Sequence, residues 1–145
     1  FWDASSALCG TDHVARLRGD MELLPAIAED GLSRAAKDVS MAGLLGTALM
    51  LAECSGVGMT IRLDDIPRLA LAPMERWLSA FPSYGYLLTA RPENADAIMA
   101  RFHKRGIASS VIGQCNSTQR LDVSWADERE IFWDLAQTPL MGFAP

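Results

Sequence analysis

The stretch "KDVSMAGLLGTALMLAECSGVG", residues Lys37 to Gly58, joins an acid and a hydroxyl to a long apolar run that contains glycines. From Met41 to Cys54 the residues are apolar nearly all round, which predicts a helix that is buried on most sides. Gly56 and Gly58 can end such a helix. Asp38 and Ser40 would then lie just before, or within, its first turn.

Two interpretations of this stretch are open. In the first, free amide hydrogens and the positive end of the helix dipole bind a phosphate, and Gly43 and Gly46 leave room for the ligand. Asp38 would hold a Mg²⁺ ion that bridges the phosphate oxygens. In the second, Ser40 is an N-cap, Asp38 complements the dipole, and the glycines let helices pack closely. The residues alone favour the second, structural interpretation.

Outside this stretch, helical and strand periodicities alternate along the chain. Strands are predicted at 32–37, 59–63, 84–90, 107–113 and 120–125. Helices are predicted from Asp12 to a break at Pro25, at 26–31, 41–54, 74–81, 91–106 and 127–137. This order predicts an α+β fold, in which a mixed β-sheet of about four to six strands is covered by helices.

The bulk composition excludes several classes of protein. The 145 residues suit one domain, and the net charge of −5 without a basic cluster gives nucleic-acid binding little support. The apolar run from Val39 to Ala52 is shorter than the roughly 20 residues that cross a bilayer, so we expect no membrane partner. The three cysteines, an odd number without CxxC spacing, predict reduced thiols in a cytoplasmic protein. Cys54, on the apolar helix, is expected to be buried.

Common catalytic motifs are missing from the chain. It contains no GxxxxGK[ST], GxGxxG, HExxH or GxSxG pattern. Its mean hydropathy of +0.10 indicates an apolar face that meets a partner or a second domain. Because the sequence begins at Phe1 without a methionine, we expect it to be a fragment of a longer protein. Tyr84 and Tyr86 fall on one face of their strand and could line a cleft, although strand tyrosines are ordinarily packing residues.

The segment "DVSMAGLLGTALMLAECSGVGMTIRLDDIP", residues Asp38 to Pro67, resembles the C-terminal domain of the AIR synthase-related superfamily. Members of this superfamily include aminoimidazole-ribonucleotide (AIR) synthetase, selenophosphate synthetase and thiamine-monophosphate kinase. Selenophosphate synthetases carry a similar Asp-Val-Thr, and thiamine-monophosphate kinases carry Asp-Ile-Ser-Asp-Gly-Leu. The resemblance extends more loosely over 35–113. It implies that the whole chain, 1–145, is such a C-terminal domain and that an N-terminal ATP-binding domain lies outside it.

The same resemblance implies an ATP-dependent enzyme of two domains that forms a homodimer and acts on a small-molecule substrate. Asp38 would be a Mg²⁺ ligand, Ser40 would contact the nucleotide phosphates, and Gly43 and Gly46 would keep the cleft wall low. Most ATP and metal ligands would come from the N-terminal domain, which is the expected partner of this chain. We therefore expect the chain alone to be inactive and to bind Mg·ATP no more tightly than about millimolar.

Departures from the family patterns leave the activity open. Met41 stands where thiamine-monophosphate kinases have their second Asp, so one acid is lost. The chain is most similar to an uncharacterised AIR synthase-like branch, and either a kinase (a transferase) or a synthetase (a ligase) fits it. An alternative is a non-catalytic maturation or assembly factor of the same superfamily that binds a nucleotide or a peptide. A third is an α+β interaction domain whose glycine-containing helix only packs.

Overall fold

A computed structural model describes the backbone of residues 11–68, 72–80 and 85–142. The chain divides into two compact units. Residues 1–40 and 81–109 form the first unit, and residues 41–80 and 110–145 form the second. Within the described residues, no helix is both long enough and apolar enough to cross a membrane.

In its described residues, the first unit combines three helices with a two-stranded antiparallel sheet. Its elements are α1 (Thr11–Met21), α2 (Leu23–Glu29), β1 (Ser33–Asp38), β3 (Tyr86–Ala90) and α5 (Pro92–Lys104). Pro25 lies in the first turn of α2, where its missing amide hydrogen costs no helical hydrogen bond. The break predicted at Pro25 is found earlier, at Glu22, and Pro25 lies within α2. Strand β1 pairs with β3, and the register shifts between Ser33 and Ala35.

Helix α5 is tied to the two preceding helices by ion pairs. Arg101 Nη2 lies 2.6 Å from the Asp30 carboxylate, just after α2, and Arg105 pairs with Asp20 of α1. The apolar side of the unit includes Ile27 on α2 and Ile98 on α5, and both side chains are buried. Pro92 begins α5, a position that proline favours because its fixed φ suits a first helical turn.

The second unit contains a four-stranded mixed sheet with the order β4-β2-β5-β6. Its elements are α3 (Gly43–Ser55), β2 (Gly58–Arg62), a 3₁₀ turn (Leu63–Asp65), α4 (Met74–Leu78), β4 (Gly113–Asn116), β5 (Arg120–Trp125) and β6 (Glu128–Asp134). Strands β2 and β5 are parallel, and the other neighbours are antiparallel. The buried core includes Ala48, Leu49, Ala52, Ile61 and Leu121. The predicted α+β class with a mixed sheet is confirmed, and the six described strands form two sheets.

Three predictions about single segments are wrong. Residues 127–137 were predicted to be helical, but Glu128–Asp134 forms β6, because a turn at Ala126 (φ 51°) folds this segment back onto β5. The strand predicted at 107–113 begins only at Gly113, whose missing Cβ would lie 2.0 Å from the Thr60 carbonyl oxygen. Cys54 is exposed rather than buried. The structures of Cys9 and Tyr84 lie outside the described residues.

Candidate functional site

Asp38, the predicted metal ligand, is the last residue of β1. Its side chain is 59% exposed, and the Lys37 ammonium lies 3.4 Å from Oδ1. Tyr86 is directly opposite Asp38 in the β1–β3 ladder, and directly opposed residues of an antiparallel pair present their side chains to the same face. The Asp38 carboxylate is therefore accessible and is held at the end of a paired strand.

Ser40 does not cap the following helix. It is half-buried and is followed by a turn at 41–42, so that α3 begins at Gly43. The N-cap residue of α3 is Ala42, which makes no side-chain capping hydrogen bond. Asp38 and Ser40 thus lie before α3 and not within its first turn, and the interpretation of Ser40 as an N-cap is wrong. Both residues belong to the first unit, whereas Gly43 and Gly46 belong to the second.

Gly43 is required by the backbone of the second unit. Its φ is +66°, and a Cβ built on it would lie 2.1 Å from the carbonyl oxygen of Leu78 in α4. This contact supports the close-packing interpretation for Gly43. A Cβ at Gly46 would lie 2.5 Å from the Ala42 Cβ. Whether either glycine also forms a low cleft wall stays a prediction.

Met41 is 87% exposed. It lies in the turn that separates Ser40 from α3, at the position where the resemblance to thiamine-monophosphate kinases would place a second acid. An exposed thioether is a poor ligand for a hard cation such as Mg²⁺, which prefers oxygen. The structure thus offers no replacement for that acid at Met41.

A groove of about 530 Å³ runs along β1 in the first unit. We call it the β1 groove. Its lining consists of Leu24, Ile27 and Ala28 of α2, all six residues of β1, and Tyr86 and Leu88 of β3. One wall is apolar, and the other carries Arg34, Lys37 and Asp38. The predicted Mg²⁺ ligand thus lies at a groove of ligand size. The sequence does not predict that the α2 residues and Arg34 lie at this groove, because their proximity depends on how α2 packs against β1.

Metal binding by the described residues alone is poorly supported. Across residues 11–68, 72–80 and 85–142, no group of three or more His, Cys, Asp or Glu side chains is placed to hold a metal ion. Asp38 therefore stands as a single carboxylate. Mg²⁺ is commonly held by one or two carboxylates together with phosphate oxygens and waters. One accessible carboxylate therefore fits an ion that arrives bound to a nucleotide. It does not fit a metal site built from protein side chains alone.

The evolutionary relationship of the chain is clear from its sequence. The family model "AIR synthase related protein, C-terminal domain" matches residues 12–126. The chain belongs to this family. The resemblance found in the Asp38–Pro67 segment is thereby confirmed, and the match includes β1, the turn after it, and α3.

Relatives of this AIR synthase-related domain are longer proteins. An uncharacterised Synechocystis protein, sll0787, is 39% identical over 142 residues, which is 98% of this chain and 43% of the relative. An uncharacterised Methanocaldococcus jannaschii protein, MJ0640, is 29% identical over 87% of this chain and 39% of its own length. The phosphoribosylformylglycinamidine synthase subunit PurL of Staphylococcus carnosus is 30% identical over 75% of this chain and 15% of its length. The chain thus spans less than half of each of these relatives.

Solved structures share the fold. Thermotoga maritima PurL complexed with ATP matches with a TM-score of 0.66 at 20% identity, over 77% of this chain and 20% of PurL. A chain of the HypE–HypF complex matches with a TM-score of 0.69 at 16% identity, over 81% of this chain and 41% of that one. At these identities the likeness establishes the fold of the AIR synthase-related domain.

Proposed function

We propose that this chain is the C-terminal domain of an ATP-dependent enzyme that activates a small substrate by phosphoryl transfer. The observation that carries the proposal is the exposed Asp38 carboxylate at the end of β1, inside the family match and on the β1 groove. The T. maritima PurL structures with ATP, ADP and AMPPCP support a nucleotide as the ligand. The protein would act in the cytoplasm, in line with its odd number of cysteines.

Asp38 would hold the Mg²⁺ ion that a bound nucleotide carries, and the ion would neutralise charge on the phosphates. Ser40, two residues later, would donate a hydrogen bond from its hydroxyl to a phosphate oxygen. Gly43 and Gly46 would leave the start of α3 open to the ligand. Catalysis of this kind consists mostly of positioning and electrostatic stabilisation, which requires more cations and donors than these four residues supply. The remaining groups would come from an N-terminal domain, and the chain alone would be inactive.

Broadening of amide signals by a paramagnetic ion tests this proposal. In a ¹⁵N-labelled sample with millimolar Mn·ATP, we expect the signals of Asp38, Ser40 and the first residues of α3 to broaden most. Asp38→Asn should abolish the broadening, whereas Asp96→Asn, at an exposed position of α5, should leave it unchanged. Broadening centred elsewhere, or equal in Asp38→Asn, would contradict the site. A micromolar Kd for the chain alone would contradict the requirement for a second domain.

A second candidate function is non-catalytic binding of a nucleotide or peptide in a maturation or assembly factor. Two observations favour it: the exposed Met41 in place of a second acid, and the long groove along β1. The two candidates differ in turnover. Supplied with its small substrate, the protein joined to an N-terminal domain should convert ATP to ADP as the phosphoryl group passes to that substrate in the first case, and should bind without forming ADP in the second.

A further inference from the structure

We propose that the β1 groove binds the small substrate of this protein, and that this substrate is an amphipathic anion. Such a ligand joins a carboxylate or a phosphate to an apolar body, in contrast to a sugar phosphate. That the ligand is the substrate rests on the proposed function, which places the nucleotide-borne ion at Asp38. That the groove binds such an anion rests on the walls and charges of the groove alone.

The floor of the groove is one face of the β1–β3 ladder. Ala36 lies opposite Leu88, and Asp38 lies opposite Tyr86, so the side chains of each pair point to the same face. All four residues line the groove. Ala36 is exposed, and its methyl group keeps the floor low between larger residues. The floor can therefore take an extended molecule that lies along β1.

The wall that α2 contributes is apolar. Leu24 is half-buried, as is Leu88 on the floor, and Ala28 is exposed. Covering the accessible parts of these side chains favours binding, because it removes apolar surface from water. The hydroxyl groups of a sugar would lose water against the same side chains without gaining hydrogen-bond partners from them, which is unfavourable. The wall thus favours a hydrocarbon or aromatic body over a sugar.

The charges of the groove favour an anion. Arg34 is exposed and takes part in none of the ion pairs among the residues that the structure describes. The Lys37 ammonium lies 3.4 Å from Asp38 Oδ1 and balances that carboxylate. Arg34 thus leaves the groove positive, although the whole chain carries a net charge of −5. Because a guanidinium offers two parallel N–H donors to one carboxylate or phosphate, we place the anionic group of the ligand at Arg34.

The spacing of the charged groups orients the ligand. Arg34 and Asp38 are four residues apart in β1, which corresponds to about 13 Å of extended strand. The groove volume of about 530 Å³ is in the range of small-molecule sites. A molecule whose anionic group is bound at Arg34 therefore extends past Ala36 toward Asp38. Its opposite end would lie beside the nucleotide-borne ion, so we expect the reacting group of the substrate at the end away from its anion.

Four small probes test the ligand class in a ¹H–¹⁵N chemical-shift titration of the 145-residue chain without nucleotide or metal. We expect 3-phenylpropionate and phenyl phosphate to bind with dissociation constants of about 1–10 mM, as suits ligands of their size. Both should shift the signals of 34–38, Tyr86 and Leu88, and the tighter of the two identifies the anionic group. The alcohol 3-phenylpropan-1-ol lacks the charge and ribose 5-phosphate lacks the apolar body, so each should bind at least about fivefold more weakly.

Three results of this titration would overturn the proposal. The first is an alcohol that binds as tightly as 3-phenylpropionate, since the charge would then contribute nothing. The second is ribose 5-phosphate binding as tightly as phenyl phosphate, since the apolar wall would then contribute nothing. The third is the absence of shifts at 34–38 up to about 20 mM of either aromatic anion, well above the expected dissociation constants.

Two exposed positions of β1 supply variants with matched controls. Arg34→Gln should weaken binding of both aromatic anions at least about fivefold and leave binding of the alcohol unchanged. Arg91→Gln, at a side chain that is 74% exposed, should have no effect. Ala36→Leu fills the floor without changing the charge and should weaken binding of every probe, whereas Ala97→Leu, exposed on α5, should not. Ala36→Leu decides the question if Arg34→Gln fails to fold. Wild-type affinity for the aromatic anions in a folded variant at either β1 position would overturn the proposal.

This titration and the Mn·ATP experiment can fail independently, because the titration contains neither nucleotide nor metal. Binding of the aromatic anions without broadening by Mn·ATP would leave the groove as an anion site and refute the proposed function. Broadening by Mn·ATP without binding of either aromatic anion would refute the amphipathic substrate and leave the proposed function intact.

Discussion

The carboxylate of Glu53, near the end of α3, accepts hydrogen bonds from the backbone amide of Met141, at 2.9 Å to Oε2 and 3.2 Å to Oε1. The amides of Leu140 and Gly142 donate to the same carboxylate, at 2.7 Å and 3.3 Å. Glu53 is 7% exposed, so the contact is a buried anion in a ring of amides. It fastens the C-terminal segment of the second unit to the helix that carries Gly43 and Gly46.

Replacement of Glu53 should therefore release this segment. Glu53→Ala leaves three amides without their acceptor, and we expect the free energy of unfolding to fall by roughly 2–4 kcal/mol. Hydrogen exchange of residues 140–142 should become fast while exchange in β2 and β5 stays slow. Glu75→Ala, at an exposed position of α4, is the control and should change stability by less than about 0.5 kcal/mol. Unchanged exchange at 140–142 in Glu53→Ala would contradict this role.

Two glycines with nearly the same backbone angle should respond differently to substitution. Gly43 has φ +66° and Gly106 has φ +71°, but a Cβ at Gly106 would meet no described residue within 4 Å. Gly106→Ala should cost only the strain of a left-handed residue, roughly 1–2 kcal/mol. Gly43→Ala should cost at least about 2 kcal/mol more, because its Cβ overlaps the Leu78 carbonyl oxygen and the backbone must move.

Chemical denaturation of the two glycine variants measures the difference. Far-ultraviolet circular dichroism confirms that each variant keeps its secondary structure before the midpoints are compared. Equal losses of stability in Gly43→Ala and Gly106→Ala would mean that α4 moves away from α3 without cost.

The fold could be predicted largely because its strongest signals are local. The apolar run that ends at Gly56 predicts α3, and Gly56 indeed has a left-handed conformation (φ 63°) just after the helix. The start of α3 was misplaced because the turn at 41–42 depends on packing near Gly43, which a sequence pattern does not contain. Residues 127–137 were predicted to be helical because the local sequence does not reveal the pairing with β5 that makes Glu128–Asp134 a strand.

The candidate site was only partly predictable. Asp38 could be selected because an acid before a glycine-containing apolar helix is a local pattern. The β1 groove could not be predicted, because Leu24 and Ile27 approach β1 only through the packing of α2. Arg34 had no distinguishing signal, since its place on the β1 groove depends on the packing of α2 and on the register shift in β1, which appear only in three dimensions.

The two partners of the ion pair between Asp122 and Arg129 should contribute unequally to the stability of the fold. Asp122 is 5% exposed, and Arg129 Nη2 lies 2.9 Å from Oδ2. Because removal of Arg129 leaves a buried carboxylate without its cation, Arg129→Ala should lower the free energy of unfolding by roughly 2–3 kcal/mol. Adding Asp122→Asn should recover part of that loss, giving a coupling energy of about 1 kcal/mol or more in a double-mutant cycle.

The control for this cycle is an exposed pair. Arg91 and Glu93 lie 3.9 Å apart with side chains 74% and 66% exposed, and exposed pairs of this kind contribute about 0–1 kcal/mol. Arg91→Ala should therefore be nearly neutral when the free energy of unfolding of all these variants is measured by urea titration. A loss in Arg129→Ala no larger than in Arg91→Ala would show that solvent reaches Asp122.

The reactivity of Cys115 should depend on folding in a defined pH window. Burial raises the pKa of the Cys115 thiol above its usual value, although part of the residue is exposed. Between the unfolded and the folded pKa, the native chain keeps the proton that the unfolded chain has lost. The thiolate is the nucleophile. At about pH 8.5, iodoacetamide should therefore modify Cys115 more slowly in the native chain than in the chain unfolded by guanidinium. The difference between the two rates should shrink as the pH rises through the folded pKa. A variant with Cys9→Ser and Cys54→Ser isolates the signal for mass spectrometry, and equal rates in both states would refute the raised pKa.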